Sequence, residues 1–434
     1  MSDDALFEDL DPRARAIDPL EDGAPPRMET ANRAQVELTP TDLEALLPPG
    51  HAARLVWRFV EGLDLAPYYA GIRSRVGRAG RPAIDPKILV ALWLYATIDG
   101  VGSAREVDRL CYAHDAYRWL RGGVSVNYHT LSDFRVGHHA ALDQLLTQSI
   151  TVLLDRRVVT LNRLTQDGTK IRASAGVRSF RRAERLAACQ QMARQQVART
   201  RAQMEGAGPA RDVAAQARAA AERLARVEAA LAQLPEIEAA KQRNGTKSAA
   251  RASTTDPDAR VMKMTDAGYR PAYNVQFATD VDGRAIVGVA VTNGSEQAEL
   301  VPMIAQVQRR TGQTPGALLV DGGYVSTDGI DGAADRHVPL YAPVPDGAHA
   351  PGGGKTPPSP AVAAWRARMA TEEGQQQYKV RSGTAERINA DAKTHRALRV
   401  IPVRGLAKIH TWALWTALAI NVLRVMEIVP HQMT

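Results

Sequence analysis

The spacing of hydrophobic and polar residues changes near residue 157 of this chain. Before that point apolar residues recur every three or four positions, which is typical of helices that bury one face. After it, apolar residues alternate with polar ones or form short runs bounded by turn residues, which indicates strands. The pattern predicts a helical region at residues 39–154 and a mixed α/β region at residues 155–434. Within the helical region, helices are predicted at residues 41–47, 51–63, 87–98, 104–111, 115–120 and 127–154.

The α/β region is predicted to run strand, two-stranded hairpin, helix, strand, helix, strand and finally two long helices. This order favours a ribonuclease-H-like mixed sheet over a plain doubly wound parallel sheet. The strands are predicted at residues 158–167, 273–279, 284–292, 316–321 and 338–343, and the helices at residues 297–310, 328–336, 375–399 and 408–425.

Three segments depart from these patterns. Residues 1–38 are acidic and without periodicity, so a disordered tail is predicted there. Residues 174–252 are rich in Ala, Arg, Gln and Glu and are predicted to insert a helical hairpin into the sheet. Its arginine-rich first arm is either a solvated face or a contact to DNA or a second protomer. Residues 344–373, rich in Gly and Pro at their start, are predicted to form a flexible loop.

Charge narrows the class of partner. The formal net charge is +8 although the N-terminal tail is acidic, so the body of the chain is strongly basic. Such a body usually meets a polyanion, with nucleic acid the first candidate, although a genome that favours Arg would also inflate the charge. The two cysteines match no metal spacing and indicate free thiols in a reducing cytosol. No apolar run reaches 18 residues, so no membrane span is expected.

Three carboxylates are candidates for metal chemistry. Asp167 and Asp321 each end a predicted strand and precede a glycine, and Glu386 lies on a predicted late helix. Gathered at one sheet edge, they would need cations, and hard oxygen ligands select Mg²⁺ or Mn²⁺. Two such ions would serve an in-line phosphoryl displacement. Taken singly, each Asp-Gly pair is more often a turn.

The helix around Glu386 also carries candidate phosphate-binding groups. Glu386 and Lys393 are seven residues apart and lie on nearly one face, with Tyr378 and Arg381 upstream. Cations there would hold phosphates and the ring would pack on a sugar or base. Alternatively, the helix has a solvated face with salt bridges.

These motifs together resemble the DDE transposases of bacterial insertion sequences, in the branch with an InsH-like N-terminal domain and a tyrosine–arginine–glutamate–lysine signature. The matching stretches are residues 82–120, 129–135, 166–175 (QDGTKIRASA), 255–263 (TDPDARVMK), 269–280, 320–324 (VDGGY), 378–393 (YKVRSGTAERINADAK) and 403–406 (VRGL). The resemblance implies that Asp167, Asp321 and Glu386 form the metal-binding catalytic triad. Arg381 and Glu386 are separated by four residues where the commonest form has three. Asp256 and Asp258 are rival acids.

The resemblance implies a transposase that binds terminal inverted repeats and cleaves and joins DNA with two Mg²⁺ or Mn²⁺ ions. Its expected partners are double-stranded DNA and a second protomer, with no membrane, in the bacterial cytoplasm near the nucleoid. A catalytically silent DNA-binding derivative and a nuclease that never joins strands are the alternatives. The residues expected to contact DNA are Arg105, His129, Arg135, Lys170, Tyr378, Arg381 and Lys393.

Overall fold

A computed structural model describes residues 31, 33–34, 36, 42–75, 77, 81–207, 211–243, 245–246, 248–347, 350–353 and 357–428. Most of the predicted tail at residues 1–38 lies outside these residues. The chain separates into two units, Met1–Asp42 and Leu43–Thr434. The second unit is a mixed α/β structure whose N-terminal part is mostly helical.

Short capped helices build the N-terminal part of this unit. Asp85, Ser103 and Asn127 each accept a backbone N–H with the side chain, which satisfies a free donor in the first turn of the helix that follows. The helix predicted at residues 127–154 is two helices, because the chain leaves helical geometry at His138. The helices are α1 Ala52–Glu61, α2 Ala66–Ala70, α3 Pro86–Ile98, α4 Ala104–Ala113, α5 Asp115–Arg121, α6 Tyr128–Gly137 and α7 His139–Asp155.

A mixed sheet follows. Its strands lie in the order β4-β5-β1-β7-β8, and β6 pairs with β5. β1 is antiparallel to β5 and parallel to β7, which in turn is parallel to β8. The six strands of this sheet are β1 Leu164–Arg172, β4 Arg260–Lys263, β5 Tyr269–Asp280, β6 Ile286–Thr292, β7 Leu318–Leu319 and β8 Leu340–Tyr341. The short strands β2 Phe180–Arg181 and β3 Ala252–Ser253 pair with each other in a separate two-stranded sheet.

The first strand differs from its prediction. β1 begins at Leu164, so it runs through Asp167 instead of ending there. The preceding residues are held as a turn, because the Asp280 carboxylate accepts the backbone N–H groups of Thr160 and Leu161. Leu161 also has a positive φ of 57°, which a strand does not allow. The prediction that the strand ends on Asp167 is therefore wrong.

Helices cover the sheet and extend from it. The residues predicted to form the hairpin contain α8 and α9, which share a small apolar core of their own that includes Leu186 and Ala230. The predicted flexible loop at residues 344–373 is wrong where α12 forms, because Ser359 caps that helix and Trp365 buries its side chain. The helices are α8 Ala183–Ala207, α9 Arg211–Arg243, α10 Leu300–Thr311, α11 Thr327–Asp335, α12 Pro360–Ala370, α13 Glu372–His395 and α14 Leu406–Ile428.

The last helix joins the two regions. α14 packs against α7 and α3 of the helical region and against β6 of the sheet. Trp412 and Trp415 are each 1% exposed, so both side chains pack in the core. The helix is long and apolar enough to cross a membrane, but 72% of its apolar window is buried inside the protein. It therefore has the character of a core helix. The domain boundary between residues 154 and 155 stays a prediction from sequence, since Leu43–Thr434 form one compact unit.

Candidate active site

Asp167 and Asp321 meet where two parallel strands separate. The pairing of β1 with β7 ends at Thr165 and Leu319. Each aspartate lies two residues beyond that last pair, so the register places them side by side at the same edge of the sheet. After β7 the chain turns at once, and the Asp321 carboxylate accepts the N–H of Gly323 at 2.8 Å. The two acids that sequence analysis singled out are thus brought together.

A guanidinium from α13 lies between these two acids. Arg381 Nη2 is 3.0 Å from Asp167 Oδ1 and 3.7 Å from Asp321 Oδ2. Asn389 Nδ2 donates to the other oxygen of Asp167, also at 3.0 Å. Arg381 and Asn389 are eight residues apart, which places both on one side of the helix. α13 therefore supplies a cation and an amide to the carboxylate pair.

Burial is the main influence on the pKa of Asp167. It raises the pKa of Asp167, which Arg381 lowers and the neighbouring Asp321 raises again. Burial also lowers the pKa of the Lys393 ammonium, an effect that the charge of Asp167 opposes. Burial likewise raises the pKa of Tyr378, whose environment includes Arg381 and both acids. The groups predicted around the site are therefore close enough to influence one another's protonation.

Glu296 is a carboxylate at this site that sequence analysis missed. It lies in the loop between β6 and α10, and Asn274 Nδ2 donates to its Oε1 at 2.5 Å. Burial raises the pKa of Glu296, and the next largest contribution is the charge of Asp321, which raises it further. A lone Glu in a polar loop gives no sequence signal.

Glu386 is placed differently from the two aspartates. It is exposed on α13. Ala385, centred between Arg381 and Asn389, faces the acids, and Glu386 points about 100° away from it around the helix. Among the described residues, no hydrogen bond or ion pair joins Glu386 to Asp167 or Asp321. No group of three His, Cys, Asp or Glu side chains in the described ranges is arranged to share a metal ion.

The chemistry of the pair nevertheless fits a hard divalent cation. Two carboxylates face the same point, and Arg381 already occupies it with positive charge. Several buried polar atoms around that point have no hydrogen-bond partner, which indicates room for further ligands such as an ion or water. These atoms are Arg381 Nε, Asn389 Oδ1, Asn274 Oδ1 and the Tyr324 hydroxyl. Asp167 and Asp321 are the residues that would hold the ion.

The rival acids, Asp256 and Asp258, form hydrogen bonds away from the Asp167 and Asp321 pair. Asp256 is fully buried, where it accepts a hydrogen bond from the Tyr273 hydroxyl at 2.6 Å. It also accepts the backbone N–H of Gly405 at 3.1 Å. Asp258 accepts the backbone N–H of Leu406 at 3.0 Å. Both acids therefore anchor the start of α14.

The other residues expected to contact DNA differ in how exposed they are. Arg105 and His129 are exposed, and Arg105 lies over the Tyr128 ring at 5.1 Å. Lys170 is partly buried on β1, beside the carboxylate site. Arg135 corrects the sequence interpretation. It is 3% exposed, with its guanidinium between the rings of Trp93 and Trp412, so it is not available to a phosphate.

Comparison with family models assigns both regions. A model described as Transposase DDE domain matches residues 357–426, the part that forms α12, α13 and most of α14. A model described as Transposase domain (DUF772) matches residues 41–136, the helices up to α6. Comparison with curated proteins and with solved structures gave no significant match. The two matched transposase domains, on a chain whose two strand-edge aspartates share an arginine, support a DDE-type transposase of an insertion sequence.

Proposed function

We propose that this chain is the transposase of its element, binding the terminal inverted repeats, hydrolysing the phosphodiester at each end and joining the freed 3′-hydroxyl to target DNA. The observation that carries the proposal is the convergence of Asp167 and Asp321 on one cation, the Arg381 guanidinium. Cleavage and joining are the same displacement with different nucleophiles, so one site serves both.

The proposed catalytic fold is ribonuclease-H-like. The strand order β6-β5-β1-β7-β8, with β1 antiparallel to β5 and parallel to β7, supports this assignment. So does the position of the acids, one on the central strand β1 and one directly after its parallel neighbour. The helical hairpin α8–α9 interrupts the fold between β2 and β3.

Asp167, Asp321 and Glu386 are the proposed catalytic and metal-holding residues, with two Mg²⁺ or Mn²⁺ ions. Bound divalent ions would supply charge neutralisation at the phosphate and an acidified water. Support for including Glu386 comes from Lys393, which lies about 20° from it around α13 and whose pKa the charge of Asp167 raises against the effect of burial.

The remaining side chains position DNA. Arg381, Lys393 and Lys170 provide cations for the phosphates on either side of the scissile bond, and the half-buried Tyr378 provides a ring for a sugar or base. The exposed Arg105 and His129, together with the partly buried Tyr128, form a surface on α4 and α6 that is proposed to bind the inverted repeats. Pairing two DNA ends would require two protomers, and the cytoplasm is the proposed compartment.

A nicking and strand-transfer assay tests the proposal. Duplexes carrying the ends of the chain's own element are incubated with Mg²⁺ and wild-type protein, Asp321→Ala or Asp328→Ala. Asp328 is an exposed acid seven residues further on, in the first turn of α11, and serves as the matched control. We expect nicks and joined products from wild type and Asp328→Ala, and neither from Asp321→Ala.

The same assay separates the alternatives. Equal products from wild type and Asp321→Ala would remove the enzymatic function. DNA binding without products from any variant would favour a silent DNA-binding derivative, and nicks without joined strands would favour a nuclease.

A further inference from the structure

Glu296 faces Asp321 across a glycine. A Cβ atom placed on Gly323 would lie 3.0 Å from Asp321 Oδ1 and 3.3 Å from Glu296 Oε2. The two carboxylate oxygens therefore flank the same small volume, which only the missing side chain of Gly323 leaves free. Glu296 reaches this position from a loop far from Asp321 in sequence, so the fold has brought the two acids together.

The surroundings of Glu296 leave one of its oxygens without a donor. Oε1 accepts from the neutral amide of Asn274. Within the described ranges, no hydrogen bond reaches Oε2, the oxygen turned toward Asp321. Two carboxylates that face each other in a half-buried site repel unless a cation lies between them. Lys170 contributes positive charge near Glu296, but neither it nor Arg381 forms an ion pair with Glu296 in the described chain.

We propose that Glu296 is an additional carboxylate ligand for a divalent cation held at Asp167 and Asp321. The inference rests on the proposed function and adds a residue to its triad. It differs from Glu386 in position, because Glu296 approaches Asp321 across Gly323 while Glu386 is exposed on α13. The competing explanation is structural: Glu296 holds Asn274 and balances Lys170, with no ion involved.

Manganese binding without DNA distinguishes the two. Titration calorimetry of Mn²⁺ into the full chain is compared for wild type, Glu296→Gln, Asp321→Asn and Glu299→Gln. Glu299 is the matched control, since it is a partly buried carboxylate three residues away whose pKa burial alone raises. We expect Glu296→Gln to weaken Mn²⁺ binding about tenfold or more, as loss of a ligand does, and Glu299→Gln to leave it within about twofold.

Thermal melting provides a readout that a structural role moves differently. Removing a repelling carboxylate should leave the Tm of metal-free protein unchanged or higher, and should reduce the Tm increase on adding Mn²⁺. A lower metal-free Tm for Glu296→Gln with unchanged Mn²⁺ affinity would overturn the inference. If Glu296→Gln does not fold, Glu296→Asp keeps the charge on a shorter side chain, and wild-type Mn²⁺ affinity in that variant would likewise overturn it.

The outcome at Asp321 separates this inference from the proposed function. Weaker Mn²⁺ binding by Asp321→Asn with wild-type binding by Glu296→Gln would reject Glu296 alone. Unchanged binding by both variants would reject the metal site itself, and with it the proposed catalytic function.

Discussion

Arg381 donates to Asp167 at 3.0 Å and so neutralises a largely buried carboxylate. The arginine side chain is only 13% exposed, and the Asp167 side chain 19%. Removing one partner of such a buried ion pair destabilises the folded chain, because the other partner is left charged and poorly solvated.

Replacing Arg381 with Met should therefore destabilise the metal-free protein, by about 1–3 kcal/mol. It should also increase the stabilisation that Mn²⁺ provides, because the ion no longer competes with the guanidinium. Urea unfolding in chelator and in Mn²⁺ measures both effects. Arg387→Met, at an exposed position on the same helix, should change neither. Loss of the Mn²⁺ effect in Arg381→Met would instead mean that Arg381 keeps the carboxylates in place for the ion.

Asp256 should make stability depend on pH. Burial raises the pKa of Asp256. The hydrogen bonds from the Tyr273 hydroxyl and the Gly405 N–H oppose this effect, but the pKa stays above its ordinary value. Because the pKa is higher in the folded than in the unfolded state, this carboxyl favours folding below its unfolded pKa. That contribution is lost as the pH rises through the folded pKa.

The variant Asp256→Asn removes the titrating group at nearly constant shape. The free energy of unfolding of wild type relative to Asp256→Asn should therefore fall as the pH is raised from about 4, near the ordinary pKa of Asp, toward neutrality. Urea unfolding of both proteins over this range measures it. A difference that is constant with pH, or that grows as the pH rises, would contradict the assignment.

Arg135→Ala should lower the free energy of unfolding, but the folded variant should keep its affinity for DNA. The guanidinium stacks between Trp93 and Trp412 and donates to the Gly102 carbonyl at 2.7 Å, so truncation leaves a cavity in the core. We expect a loss of about 2–4 kcal/mol in the free energy of unfolding. The folded variant should bind DNA with the wild-type salt dependence, measured by fluorescence anisotropy. A lower salt slope would return Arg135 to the DNA contacts.

Arg105→Ala should behave in the opposite way. Arg105 is exposed beside Tyr128, so its removal should change the free energy of unfolding by less than about 0.5 kcal/mol. If it contacts a phosphate of the terminal repeat, the slope of log K against log salt should fall by about one. Arg109→Ala, on the same helix and paired with Glu106, is the control and should leave the slope unchanged.

Sequence periodicity located most helices because their caps and apolar faces are local. α3 and α4 begin where Asp85 and Ser103 were available to cap them. The start of β1 was misplaced because it depends on Asp280, a carboxylate more than a hundred residues away. A hydrogen bond between residues so far apart in sequence cannot be predicted from the local alternation of apolar and polar residues.

The candidate site shows the same division. Asp167 and Asp321 were identified from their motifs, and the strand register brings them together. Glu296 was missed because its place beside Asp321 depends on the β6–α10 loop folding onto Gly323. Arg135 was assigned to DNA because an arginine on an amphipathic helix usually faces solvent, whereas two tryptophans from different elements enclose it here.

The position of α14 has a consequence for how the chain could be divided. Trp415 donates to the Arg135 carbonyl at 3.1 Å, and Asn421 bonds both Ser149 and the backbone of Ile286. A polypeptide terminated before Leu406 would present the apolar sides of α3 and α7 to water. The N-terminal helices therefore depend on the far end of the same chain, and synthesis must reach α14 before those helices can complete their packing.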